Sequence, residues 1–138
     1  VSEAFGGAPN ASAVSSYSLR DGQLNVRSGS VLTTQTAACW IVITKNGKFA
    51  YASNTGSNNI SSYRVGSAGR LTLQEAVATP TGAGPIDMAL NKNSRFLYVL
   101  NAESHSLEVF RVNRWNGRLT QGTGVSGLPN GANGLVAR

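Results

Sequence analysis

Six residues have the types that acid–base and binding chemistry requires: Asp87, His105, Glu103, Asn54, Asn101 and Trp40. Asp87 with His105 makes an acid–base pair in which the carboxylate orients the imidazole. Such a pair activates a water for attack on a carbonyl, and the oxyanion that develops needs hydrogen-bond donors. Asn54 and Asn101 carry amide donors, and Trp40 offers a flat wall for a ring to stack on. Asp87, Glu103 and His105 together also contain oxygen ligands suited to a divalent cation. Their spacing matches no recognised ligand pattern, so no metal site is assigned and no cofactor is implied. Each residue also has a structural reading. Asp87 braces a loop, His105 is a turn residue, Trp40 plugs a channel as packing, and the two Asn bond a local turn.

These residues come together only if the elements between them repeat. Tyr17, Tyr63 and Phe110 align at steps of 46 and 47 residues, inside Val14-Ser15-Ser16-Tyr17-Ser18-Leu19, Ile60-Ser61-Ser62-Tyr63-Arg64-Val65 and Leu107-Glu108-Val109-Phe110-Arg111-Val112. A turn glycine and a leucine follow each copy: Gly22 and Leu24, Gly69 and Leu71, Gly117 and Leu119. The segment 46–54 matches 93–101 at a constant step of 47. Four short strands per unit fit this period. Strand a is 38–44 and 85–91, strand b 48–54 and 95–101, strand c 59–65 and 106–112, strand d 70–79 and 118–125. No sustained helical period appears.

Four strands every 40 to 50 residues or so is the period of a propeller blade. Strand b is apolar on both faces, with Phe49 and Tyr51 opposite Ala50 and Ala52, and Phe96 and Tyr98 opposite Leu97 and Val99. A sheet sandwiched between neighbours needs that pattern. A solenoid is the structural rival, but its strands are single rungs rather than four-stranded meanders. The fold class is therefore all-β: a β-propeller fragment of about three four-stranded antiparallel blades in one partial domain, 1–138. Blade 1 spans about 1–34 and is completed by a strand from 129–138, blade 2 spans about 35–81 and blade 3 about 82–128. Residues 1–5 read as a strand b and 135–138 as the start of a strand a. Closed rings use roughly four to eight blades, so further blades or a second copy are expected to cover the open blade faces.

Composition narrows the function classes. Hydrophobic residues at 41% and charged residues at 13% describe strands joined by turns, not a disordered chain. The longest apolar run, Ala37 to Ile43, is too short to span a bilayer. No basic-then-apolar signal opens the chain, and its start at Val1 leaves a removed signal peptide open. The compartment is therefore unassigned. The sequons at Asn10 and Asn59 matter only in a secretory setting. The single cysteine, Cys39, lies in the apolar run and is expected to be buried and inert.

Propeller geometry sorts the polar residues by rim. Trp40, Asp87, Asn54, Asn58, Asn101, Glu103 and His105 fall where the d–a and b–c connections gather, with Trp40, Asp87 and Gly134 at one repeat position. The opposite rim collects ten of the twelve Lys and Arg at a–b and c–d turns, with Asp21 the one acid among them. Only Trp115 interleaves with these charges, so base stacking finds little support and nucleic acid is not an expected partner. A solvated face is the simpler reading.

The phrases Thr55-Gly56-Ser57, Ile60-Ser61-Ser62-Tyr63, Gly82-Ala83-Gly84-Pro85-Ile86-Asp87-Met88-Ala89, Arg95-Phe96-Leu97-Tyr98-Val99 and Gly127-Leu128-Pro129 resemble the seven-bladed lactonase propellers. That family includes bacterial 6-phosphogluconolactonase and fungal carboxymuconate cyclase. The resemblance covers nearly the whole chain and matches the family's C-terminal three blades. It implies a site at the mouth of the central channel, built from His, Arg and Glu, that hydrolyses a sugar or aromatic-acid lactone. The family's Arg-His pair has no counterpart here, because the corresponding positions read Cys39-Trp40 and Ile86-Asp87. On this reading Asp87 and His105 are base and orienter, with Trp40, Asn54, Asn101 and Glu103 as substrate contacts. The alternative is a non-catalytic propeller serving as a binding or scaffold module.

Overall fold

Tight turns with positive φ set the meander. Asp21 and Gly22, at φ 51° and 77°, form the two-residue hairpin between Arg20 and Gln23. Gly69 and Gly117 take the same left-handed backbone in the next two copies. The computed structural model describes residues 1–138 and contains twelve strands. In chain order these are β1 (Ser2–Glu3), β2 (Ala13–Arg20), β3 (Gln23–Leu32), β4 (Ala38–Ile43), β5 (Phe49–Asn54), β6 (Asn59–Val65), β7 (Leu71–Pro80), β8 (Pro85–Leu90), β9 (Phe96–Asn101), β10 (Ser106–Val112), β11 (Leu119–Gln121) and β12 (Val125–Ser126). They make three antiparallel sheets: β1-β2-β3, β4-β5-β6-β7, and β8-β9-β10 edged by β11 and β12. Strand d of the third sheet is split because Gly122 and Gly124 pull the chain onto β10. A Cβ on Gly124 would lie 2.5 Å from the Leu107 carbonyl oxygen.

The sheets stand as radial vanes. The inner strand β4 contacts both β1 and β8, while the outer strands β3, β7 and β11 contact one another in sequence. The middle sheet is covered on both sides, and every residue of β5 is buried. Phe49, Tyr51 and Ile60 pack on Met88, Leu97, Val99, Phe110 and Val112 of the third sheet. Ala50, Ala52, Tyr63 and Leu71 pack on Val14 of the first. Each large side chain buried this way contributes about 2 kcal/mol. Two tyrosines tie the vanes together: the Tyr51 hydroxyl donates to the Gly117 carbonyl at 2.6 Å and the Tyr63 hydroxyl to the Val31 carbonyl at 3.2 Å.

The outward faces show what a neighbour would cover. Tyr17 holds the repeat position of Tyr63, yet it is 42% exposed where Tyr63 is 0%. Leu19, Leu24 and Val26 beside it are also exposed. At the other end, Phe96 is 39% exposed and its counterpart Phe49 is 3%.

The expected completion of the first sheet does not occur. Its sheet keeps three strands, and residues 129–138 form none. The chain leaves β12 at the outer edge of the third vane and recrosses that vane toward the axis, so the tail ends beside β8. There the Leu135 amide donates to Asp87 Oδ2 at 2.7 Å.

Burial, reinforced by Glu75 for Tyr51 and by Glu3 for Tyr63, raises both phenol pKa values well above the usual value near 10. The folded chain therefore holds these protons when the unfolded chain releases them. Their stabilisation is complete below about pH 10 and is lost as pH rises from there toward the folded pKa. Thermal melts across pH 7 to 12 or so should show a flat region followed by an alkaline fall. Tyr51→Phe combined with Tyr63→Phe should flatten that fall and lower stability by about 1–3 kcal/mol per hydroxyl.

Candidate functional site

The d–a and b–c connections meet on one rim, as the repeat requires. In the middle blade the Thr55 amide donates to the Ala37 carbonyl at 2.9 Å and the Gly56 amide to the Thr36 carbonyl at 3.2 Å. In the third blade the Ala102 amide donates to Gly84 at 2.8 Å, and the Glu103 and Ser104 amides both donate to Ala83 at 3.2 Å. These bonds carry Glu103 and His105 to the start of β8. The Glu103 side chain lies against Gly84, whose φ of +68° and missing Cβ make the approach possible.

Asp87 sits on β8 just past a register shift between Pro85 and Asp87. It is buried, with Oδ2 accepting from Leu135 and Oδ1 lacking any partner. His105 adopts φ 49°, and its carbonyl accepts from the Leu128 amide at 2.9 Å. No hydrogen bond or ion pair joins its ring to Asp87, so the acid–base pair read from the sequence is not closed in this conformation. Asp87, Glu103 and His105 do not converge into a group able to hold a metal. Trp40 is 46% exposed, and its amide donates to Ser53 Oγ at 3.0 Å. It is thus half-exposed on the inner strand β4 of these three sheets.

Asn54 and Asn101 require a correction. Both side chains are fully buried. Asn54 Nδ2 donates to Asn59 Oδ1 at 2.8 Å and to Ser61 Oγ at 2.9 Å. Asn101 Nδ2 donates to Ser106 Oγ at 3.1 Å and to Glu108 Oε2 at 2.9 Å. An amide has two donor hydrogens, so neither Asn keeps one for an oxyanion. They join strand b to strand c in successive blades. Nor is their work the local backbone bonding that turn asparagines usually do.

Cys39 also departs from expectation, since it is exposed. It lines a shallow depression with Ser2, Ala38 and Thr55, and its Sγ donates to the Ile86 carbonyl at 3.5 Å. The apolar run that holds it forms an inner strand, and the channel side of that strand is open. Glu108 was missed. Besides Asn101, its Oε2 accepts from the Gly82 amide at 3.0 Å, so it pins the d–a loop. Its signal in the sequence was an acid between the apolar Leu107 and Val109 of strand c, where Ser61 stands one repeat earlier.

The profile of the lactonase, 7-bladed beta-propeller family matches residues 11–131. The chain belongs to the seven-bladed lactonase β-propeller family. Solved structures agree on the fold. A Bacteroides fragilis protein proposed to be a 6-phosphogluconolactonase superposes with a TM-score of 0.72 at 21% identity, over 86% of this chain and 34% of its own. A Lactobacillus plantarum protein gives 0.72 at 24%, over 91% and 38%. The periplasmic gluconolactonase of Pseudomonas aeruginosa gives 0.63 at 23%, over 88% and 38%. This lactonase-propeller chain thus spans little more than a third of the length of these structures. No curated protein matches it. Within the lactonase propeller, the inner strands carry Cys39-Trp40 and Ile86-Asp87 at the positions where the resemblance leads one to look for an Arg-His pair.

The Asp87–Leu135 bond holds the tail to β8. A hydrogen bond to a charged acceptor is worth about 1.5–3 kcal/mol. Asp87→Ala should therefore speed exchange of the Leu135 amide by about 10- to 100-fold, measured by hydrogen-exchange NMR. Asp87→Asn keeps an acceptor and should change that rate far less.

Proposed function

We propose that this chain forms three blades of a lactone-processing propeller, and that its d–a/b–c rim is one sector of the wall around the channel mouth. The observation that supports this most is Asp87 in a lactonase-family chain: an inner-strand carboxylate with one oxygen held by the Leu135 amide and the other unpartnered. Buried polar atoms without partners are rare and call for an explanation. A base that accepts its proton only with substrate and water in place is one.

In this reading Asp87 takes a proton from water as the oxygen attacks the lactone carbonyl. The tetrahedral oxyanion collapses, the ring C–O bond breaks, and the hydroxy acid leaves after a proton reaches the ring oxygen. His105, carried by the neighbouring b–c loop, orients Asp87 or returns that proton once the loop closes on substrate. Trp40 stacks on the sugar or aromatic-acid portion, and Glu103 bonds its hydroxyls. Donors for the oxyanion come from groups other than Asn54 and Asn101. The exposed faces around Val26 and Phe96 receive further blades, from a longer chain or from a second copy.

The absent Asp87–His105 contact favours a second reading, a binding module without catalysis. Hydrolysis of sugar and aromatic-acid lactones, followed by pH-stat, separates the two. Asp87→Asn should lower kcat by about 10²- to 10⁴-fold, and Trp40→Ala should mainly raise KM. Hydrolysis that persists in both Asp87→Asn and His105→Ala removes the dyad. Lactone binding without turnover supports the binding module instead. Sedimentation addresses the open faces. Species heavier than 14.4 kDa, shifted back to that mass by Val26→Asp, support blade-to-blade association.

A further inference from the structure

A second concavity lies away from the rim that holds Asp87. It is a groove of about 1000 Å³ on the opposite rim, between the second and third blades. Lys45 and Lys48 line it from the a–b turn of one blade, Arg95 from the a–b turn of the next, Arg111 from the end of β10 and Arg114 from the c–d turn that follows. None of the chain's six acidic side chains lines it. The one ion pair in the chain joins Arg118 to Glu75, so all five groove cations lack a carboxylate partner.

We propose that this groove binds a compact anion carrying two or more linked phosphate groups. Like charges gathered in a concave wall focus a positive potential that open hairpin tips do not produce. Guanidinium forks bind phosphate oxygens in pairs, while lysines act as point charges. The volume is at the upper end of small-ligand sites, far short of a track for a polymer.

The groove is also held in shape before any ligand arrives. Ser94 Oγ accepts the Lys45 amide across the blade boundary at 2.8 Å. Asn46 Oδ1 accepts the Lys48 amide at 3.1 Å, and Asn91 Oδ1 accepts the Arg95 amide at 2.9 Å. Asn113 Oδ1 accepts the Trp115 amide at 2.9 Å. Gly117 fixes the c–d turn on its neighbour, because a Cβ there would lie within 2.9 Å of three Phe49 ring atoms and its carbonyl takes the Tyr51 hydroxyl. Trp115 is 76% exposed and carries the Arg114 guanidinium 4.3 Å from its ring centroid. Its indole therefore aims a cation into the groove and serves as an optical reporter of what that cation meets.

The test is a titration of the whole chain with inorganic tripolyphosphate, followed by calorimetry and by Trp115 fluorescence in a Trp40→Phe background. Saturable binding with a fluorescence change is expected, with orthophosphate at least tenfold weaker. Arg95→Ala combined with Arg111→Ala should raise Kd at least tenfold. Arg20→Ala combined with Arg70→Ala removes the same charge from turns outside the groove and should change Kd less than twofold. Far-UV circular dichroism checks that both variants are folded. Absence of saturation, equal losses from the two pairs, or orthophosphate binding as well as tripolyphosphate would each overturn the proposal. So would tighter binding of single-stranded DNA with equal losses from both pairs, since that is general attraction to a polyanion.

Discussion

Two-sided burial of the middle sheet is the constraint on which the rest of this structure depends. A strand such as β5, with bulky rings on one side and alanines on the other, cannot leave either side in water without a large loss. The neighbouring sheets satisfy it from both directions, and Tyr51 and Tyr63 fix their spacing by donating to one carbonyl on each side. Stacking with consistent twist puts all strands a on an axis and all strands d outside. Rims, channel wall and grooves are consequences of that order.

The two rims then differ through the lengths of their connections. The d–a and b–c loops are long enough to bond one another, and a buried polar layer forms beneath them. Asn54 with Asn59 and Ser61 in one blade corresponds to Asn101 with Ser106 and Glu108 in the next. This layer rigidifies the rim, and its own members are committed to holding the loops above them. The opposite rim consists of short turns whose tips must be polar. The positive charges sit there, and where two blades meet they face one another across a groove.

Much of the fold was legible because its signals are local. Tyr17, Tyr63 and Phe110 marked strand c, and the positive-φ turns at Gly22, Gly69 and Gly117 marked the hairpins. The order of strands, bcd, abcd, abcd and a final a, followed from these; the three sheets match all but the final strand a, which does not form. The site was less legible. Asp87 and Trp40 lie on the inner strands that the repeat assigned them, but the partner that Asp87 holds lies 48 residues away in a tail that the repeat assigned to another blade. Glu108 drew no reading from the sequence and proves to pin a loop. Cys39 resembled core, because an apolar run does not tell which of its sides faces a filled space.

By itself, then, the sequence determined the blade: its four strands, its turns, and the two-sided apolar pattern that demands neighbours. All of these arise from backbone sterics and side-chain alternation within a few residues. Only the tertiary structure decided which faces were covered, which amide hydrogens remained free, and which charges were left without partners. Those outcomes depend on contacts between residues one repeat or more apart, and on competition for each polar atom. A one-dimensional pattern carries no record of that competition.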